Sequence, residues 1–254
     1  MGADASSYAK ALFGELIAIG DDHLVLGHRL SEWCGHAPML EEDLAMPNMA
    51  LDMLGQARAL YSYAAELEDK GRTEDHIAYL RADREYRNCL LVERPNGDFA
   101  HTMLRQLYFA AFMERYWQAT MSSRDERLAA IAGKAVKEVA YHVRHASEWV
   151  IRLGDGTEES ASRMQAAVQA LHPYTQELFE GPDKGIEPSL MPGRAEIRPS
   201  WDSVIGEVFS EALLEIPDVR FPLMGGRAGR HGEEFGFLLA ELQYMQRTYP
   251  GLTW

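Results

Sequence analysis

The sequence predicts an all-α protein built around a four-helix bundle, and three observations carry that prediction. Apolar residues recur at i, i+3, i+4 and i+7 over long stretches. No run alternates with the period of two that a half-buried strand requires. No Pro/Gly/Ser linker divides the 254 residues into comparable halves. With 46% hydrophobic and 25% charged residues, the chain has apolar material for one large core. A single domain over residues 1–254 is expected.

The elements follow in order. A first helix is predicted over Ser7 to Trp33, with Leu12, Leu16, Ile19, Leu26 and Leu30 as its apolar stripe, stopping at Gly35 and Pro38. A second starts near Glu41 and ends by Gly71, so the two form an antiparallel hairpin. A shorter helical piece, Thr73 to Asn88, leads into the turn RPNGD at 94–98. Phe99 to Ser122 and Asp125 to Leu153 form a second hairpin, with Ser123 as the expected N-cap of its second helix. Additional C-terminal helices are predicted over Glu158 to Glu180, Trp201 to Ile216 and Glu233 to Tyr249, with 181–200 irregular.

The formal net charge is −14, from 39 acidic against 25 basic residues, which disfavours nucleic acid as a partner. The N-terminus lacks the basic flank and apolar run of a signal peptide, and no uninterrupted apolar stretch suits a membrane span, so a soluble, cytoplasmic protein is expected. Cys34 and Cys89 fall inside predicted helices without metal-ligand spacing and read as buried free thiols.

The segment KEVAYHVRHASEW, residues 137–149, raises the question of metal binding. At about 100° per residue, Leu128, Ala132, Val136, Val139, Val143, Ala146 and Val150 form one apolar arc. His142 falls at its edge and Glu138 just outside, while Lys134, Lys137, Arg144, Glu148 and Arg152 mark the solvated side. A di-iron centre in such a bundle draws on about four carboxylates and two histidines, with Glu-x-x-His on two helices. No histidine of this chain is preceded by Glu at that spacing. The nearest match, Asp98 to His101, starts a helix, where Asp caps. In the second helix Asn48, Asp52, Gly55 and Gln56 form a polar stripe in which Gly55 stands where Asp52 needs a histidine; in the first, Asp21, His28 and Glu32 align, and these acids equally suit pairing with His28, Arg29 or Arg58. An iron site of the chain's own has only Asp21, Glu32, Asp52, Glu138 and His142 to draw on, and it falls short of the full set. GGRAGRHGEEF, 225–235, matches no phosphate-loop spacing and reads as a structural or docking loop. YFAAFMERYW, 108–117, reads as core, or as a helix with two buried sides, one of them against a partner.

LSEWCGHAP (30–38), LDMLGQARALYSYAAELE (51–68), NCLLVERPNGDFAHT (88–102), KEVAYHVRHASEWVIRLGDGT (137–157) and AELQYMQRTYPGLTW (240–254) resemble the C subunits of phenylacetyl-CoA epoxidases, the PaaC family. The resemblance runs from about Leu24 to Trp254 and implies a ferritin-like bundle inside a multicomponent monooxygenase. In that family the related A subunit holds the di-iron site and epoxidises the aromatic ring, B joins the assembly, and the reductase E delivers electrons. The C subunit is a structural partner without a working metal centre and has no cofactor of its own. The resemblance thus makes Asp21, Glu32, Asp52, Glu138 and His142 remnants of an ancestral iron site. Candidate partner-facing residues are Trp117, Trp149, Arg227, Arg230, His231 and Trp254; a homodimer of the isolated chain is compatible with the same reading.

Overall fold

The computed structural model describes residues 2–182 and 186–252, with side chains from Ala9 onward; Trp254 lies outside them. All regular structure among these residues is helical: α1 (Gly2–Ser31), α2 (Leu40–Glu68), α3 (Glu74–Tyr79), α4 (Leu90–Glu93), α5 (Phe99–Thr120), α6 (Glu126–Gly154), α7 (Glu158–Leu171), α8 (Arg198–Glu211) and α9 (Glu233–Thr248). Short 3₁₀ segments stand at Asp83–Glu85, His172–Phe179, Arg194–Ile197 and Gly226–Ala228. The four long helices are α1, α2, α5 and α6, paired α1 with α2 and α5 with α6, as their periodicity predicts.

Two glycines let the first hairpin close. A Cβ at Gly20 would lie 2.5 Å from the Tyr61 ring, and one at Gly27 would stand 3.3 Å from the Ala50 carbonyl and the Leu54 side chain. α2 stays helical through Pro47, which supplies no N–H, and Asn48 Nδ2 donates to the Leu44 carbonyl at 2.8 Å on the same turn.

α5 is buried almost all round. One side packs on α6, and the chain's own later elements cover the other. Tyr108 meets Trp201 and Phe209, and Phe112 meets Phe179 at 5.6 Å. The second buried side of the YFAAFMERYW run is therefore intramolecular. One cluster of buried apolar side chains extends from Leu12 in α1 to Leu239 in α9.

Several boundaries differ from expectation. The piece 73–88 is α-helical only over Glu74–Tyr79, with one 3₁₀ turn at Asp83–Glu85, because the chain turns to bury Arg81, whose guanidinium reaches the Ile77 and Glu85 carbonyls and the Asp21 carboxylate. The helix expected to reach Glu180 ends at Leu171, since Pro173 supplies no N–H for a continuing α-helix. α8 starts at Arg198, with Pro199 in its first turn, and stops at Glu211 rather than Ile216. The N-cap of α6 is Asp125, not Ser123: its carboxylate accepts from the Arg127 and Leu128 amides, while Ser123 Oγ accepts from the Asp125 amide. Asp98 caps α5 as expected, accepting from the His101 amide at 3.0 Å. Cys89 is buried ahead of α4, but Cys34 follows α1 in a turn and is exposed.

Candidate functional site: two polar seams

Polar side chains collect in two places inside the bundle. The first lies along α1, whose buried acids Glu15, Asp21 and Asp22 each meet an arginine from later in the chain. Asp21 accepts from Arg81, from the Tyr61 hydroxyl at 2.6 Å and from the Arg87 amide at 2.7 Å. Burial, then the Asp21 carboxylate, push the Tyr61 phenol well above its usual pKa, so it remains a donor. Asp22 takes a two-pronged grip from Arg227 at 2.9 and 2.7 Å and a bond from the Cys89 amide. Glu15 accepts from Arg194 at 2.6 Å and from Tyr116 at 2.7 Å.

The glycine-rich loop completes this seam. A Cβ at Gly226 would stand 2.1 Å from the Asn88 carbonyl, so only glycine permits the approach. The amides of Gly225 and Arg227 both donate to Glu177 at 2.9 Å, and the Glu177 carboxylate also takes the Leu90 amide. The loop does cradle an anion, and that anion is a carboxylate of its own chain. Glu93 similarly holds His231 and the Gly232 amide, both at 2.7 Å.

The second seam joins α2 to α6. Gln56 donates to Glu138 at 2.9 Å and accepts from the Trp117 indole at 3.2 Å. His142 Nε2 stands 3.1 Å from Asp52 and His145 Nε2 2.9 Å from Glu42. Behind them His23, edge-on to Phe109, places Nδ1 at 2.8 Å from the Ile19 carbonyl; a carbonyl only accepts, so this nitrogen carries the proton. Burial lowers the His23 imidazole to about 4, and it is neutral near pH 7.

The structure separates the five candidate ligands. Asp21 is committed to Arg81, and Glu32 lies at the end of α1 with Arg29 and Asn96. Only Asp52, Glu138 and His142 share a seam, where Glu138 is held by Gln56 and by Lys134 at 3.4 Å. Among the described residues no group of three or more His, Cys, Asp or Glu side chains is arranged to hold a metal ion. Of the partner-facing candidates, Trp117 is fully buried, Trp149 is half-buried between Phe99 and Arg152, Arg227 and His231 point inward to Asp22 and Glu93, and Arg230 is exposed. Periodicity missed His23, Arg81 and Arg194, whereas Gln56 lies on the polar stripe of the second helix. For His23 and Arg81 the only signal in the sequence is a polar residue inside an apolar stretch, as with Arg105, which is buried with no carboxylate partner among the described residues and held by the Arg94 carbonyl and Asn96; Arg194 stands in the irregular 181–200 segment.

The sequence signature of phenylacetic acid catabolic proteins matches residues 2–254. This chain belongs to that family. Within it, the C subunit of the 1,2-phenylacetyl-CoA epoxidase of Escherichia coli (strain K12) is 44% identical over 241 residues, 94% of this chain and 97% of that one. The match therefore takes in both hairpins and the C-terminal elements that complete the first seam. A di-iron centre, the group that a ferritin-like bundle suggests, does not fit this one: α1 offers acids already neutralised by arginines, and α2 offers Gly55 and Gln56 beside Asp52. No helix is long and apolar enough to cross a membrane among the described residues.

Proposed function

We propose that this chain is a non-catalytic structural subunit of a cytoplasmic 1,2-phenylacetyl-CoA epoxidase, holding the di-iron catalytic A subunit in an assembly completed by the B subunit and the reductase E. The observation that carries the reading is the consumption of the bundle's interior acids: Asp21, Asp22 and Glu15 neutralise arginines, and Glu138 and Asp52 serve Gln56 and His142. A carboxylate bound in this way is not free to accept a metal without leaving an arginine buried and unpaired, which costs several kcal/mol. The 44% identity to an epoxidase C subunit across nearly the whole chain supports the same assignment.

The test is coexpression with the A subunit together with elemental analysis of the chain alone. Copurification with A and near-zero iron in the isolated chain are expected. Close to two irons per chain with an oxo-bridge absorption band would overturn the reading in favour of an oxidoreductase acting in its own right.

A further inference from the structure

We infer that the centre of the bundle, between Gln106 of α5 and His142 of α6, is a binding site for a small neutral molecule that both donates and accepts hydrogen bonds, and that this molecule is water. Gln106 is fully buried, and neither its amide nitrogen nor its amide oxygen has a hydrogen-bond partner among the described residues. Turning the amide over only exchanges one unpaired atom for the other. Nδ1 of His142, on a side chain just as buried, is unpaired as well. Folded proteins rarely leave such groups without a partner, because each has given up its bonds to solvent.

Helix geometry brings these atoms together. On α5, Phe99 stands against both Trp33 of α1 and Trp149 of α6, and the Trp117 indole donates to Gln56 of α2. At about 100° per residue, Gln106 lies within about 20° of both Phe99 and Trp117, so it points at the axis enclosed by the other three helices. Tyr108, which meets Trp201 of α8, lies about 160° away. Phe99 against Trp149 sets the register of the antiparallel α5–α6 pair, and about two turns in from that contact stand Gln106 on one helix and His142 on the other. His23 of α1 completes the group. It meets Phe109, one turn along α5 from Gln106, and its buried Nε2 has no hydrogen bond of normal geometry, with Gln56 and His142 as neighbours.

The unpaired atoms select the guest. Nδ1 of His23 donates to the Ile19 carbonyl and Nε2 of His142 to the Asp52 carboxylate, so in neutral rings the opposite nitrogens are acceptors. With the Gln106 oxygen they make three acceptors beside one donor group, the Gln106 NH2. An anion supplies no donor to the three. A cation leaves the NH2 unpaired and has no free carboxylate in the seam to balance it, since Asp52 and Glu138 are held by His142, Gln56 and Lys134. Water donates twice and accepts from the NH2, and buried water typically makes about three such bonds.

A crystal structure of the full-length chain, alone or in its complex, at a resolution that shows ordered water tests the site directly. A water oxygen within about 3.2 Å of both the Gln106 amide and Nδ1 of His142 is expected. In solution, magnetic relaxation dispersion of the water oxygen counts long-lived internal waters. Gln106→Leu, which puts apolar atoms in the place of the amide, should lower that count, and Gln169→Leu on the exposed side of α7 should leave it unchanged; the wild-type map decides even where a variant does not fold. A dry centre in that map, or a count that Gln106→Leu leaves unchanged, would overturn the inference while leaving the proposed function standing. A metal ion in the site, identified by anomalous scattering and elemental analysis, would overturn both.

Discussion

The α1 seam and the α2–α6 seam are both polar, yet they are built on opposite physical terms. Along α1 the groups are ions in full burial: Arg81 and Arg194 are nearly inaccessible, and Asp21, Asp22 and Glu15 are within 2% of complete burial. Between α2 and α6 the Asp52 and Glu138 carboxylates keep contact with solvent, their side chains 36% and 19% exposed, and their partners are an imidazole, an amide and the exposed Lys134 ammonium. A carboxylate buried this fully needs a matched cation or several converging N–H donors, as at Glu177, whereas a half-solvated one needs a single donor. Acids aligned on a helix therefore have different meanings depending on what the rest of the chain brings to them.

The largest effect expected from breaking that contrast is at Asp22. Asp22→Ala leaves Arg227 without its two-pronged partner, and the loss is expected to be about 3–5 kcal/mol in denaturant unfolding. The paired change Asp22→Leu with Arg227→Met should recover most of it, since removing both charges relieves the penalty.

The next effect is on pH dependence. Burial lowers both His23 and His28 to about 4, below the ordinary value of 6.5. The unfolded chain therefore binds protons first as the pH falls, and stability present above about 6.5 drains away between 6.5 and 4. On the order of 3 kcal/mol is at stake for each imidazole. Thermal melts at pH 7.5 and 4.5 measure it, and His23→Gln should flatten the slope; an unchanged slope would mean that His23 takes up its proton as readily in the folded chain as in the unfolded one.

The smallest effect sharpens the comparison from the open side. Asp52→Ala removes the acceptor of a single His142 bond next to solvent, and a loss of about 1 kcal/mol is expected, well below that at Asp22. Equal losses at the two positions would erase the distinction between the seams.

Much of the fold was legible because helix periodicity is local: Leu12 to Leu30, and Leu128 to Val150, mark their buried stripes within one segment. So was the lack of Glu-x-x-His, which is a matter of spacing alone. That acids on α1 could pair with basic side chains was legible, and Arg29 with Glu32 is such a pair, but the distant partners Arg81, Arg194 and Arg227 were not. Asp21 looked like a ligand remnant because its helical position was visible and Arg81, 60 residues away, was not tied to it by any pattern. The break after Tyr79 was missed for the same reason, since burying Arg81 there outweighs the helical propensity of the residues that follow.

By itself, then, the sequence determined four long helices, their pairing into hairpins through short turns, and a ligand set short of a di-iron centre, because each follows from residues a few positions apart. Only the tertiary structure decided that the Gly225–Gly232 loop folds inward on Glu177 and Glu93, that α7 and α8 cover α5, and that Arg227 neutralises Asp22 across 205 positions. The physical reason is that a buried charge is satisfied by whatever stands within about 3 Å of it in space, and chain separation carries no information about that distance.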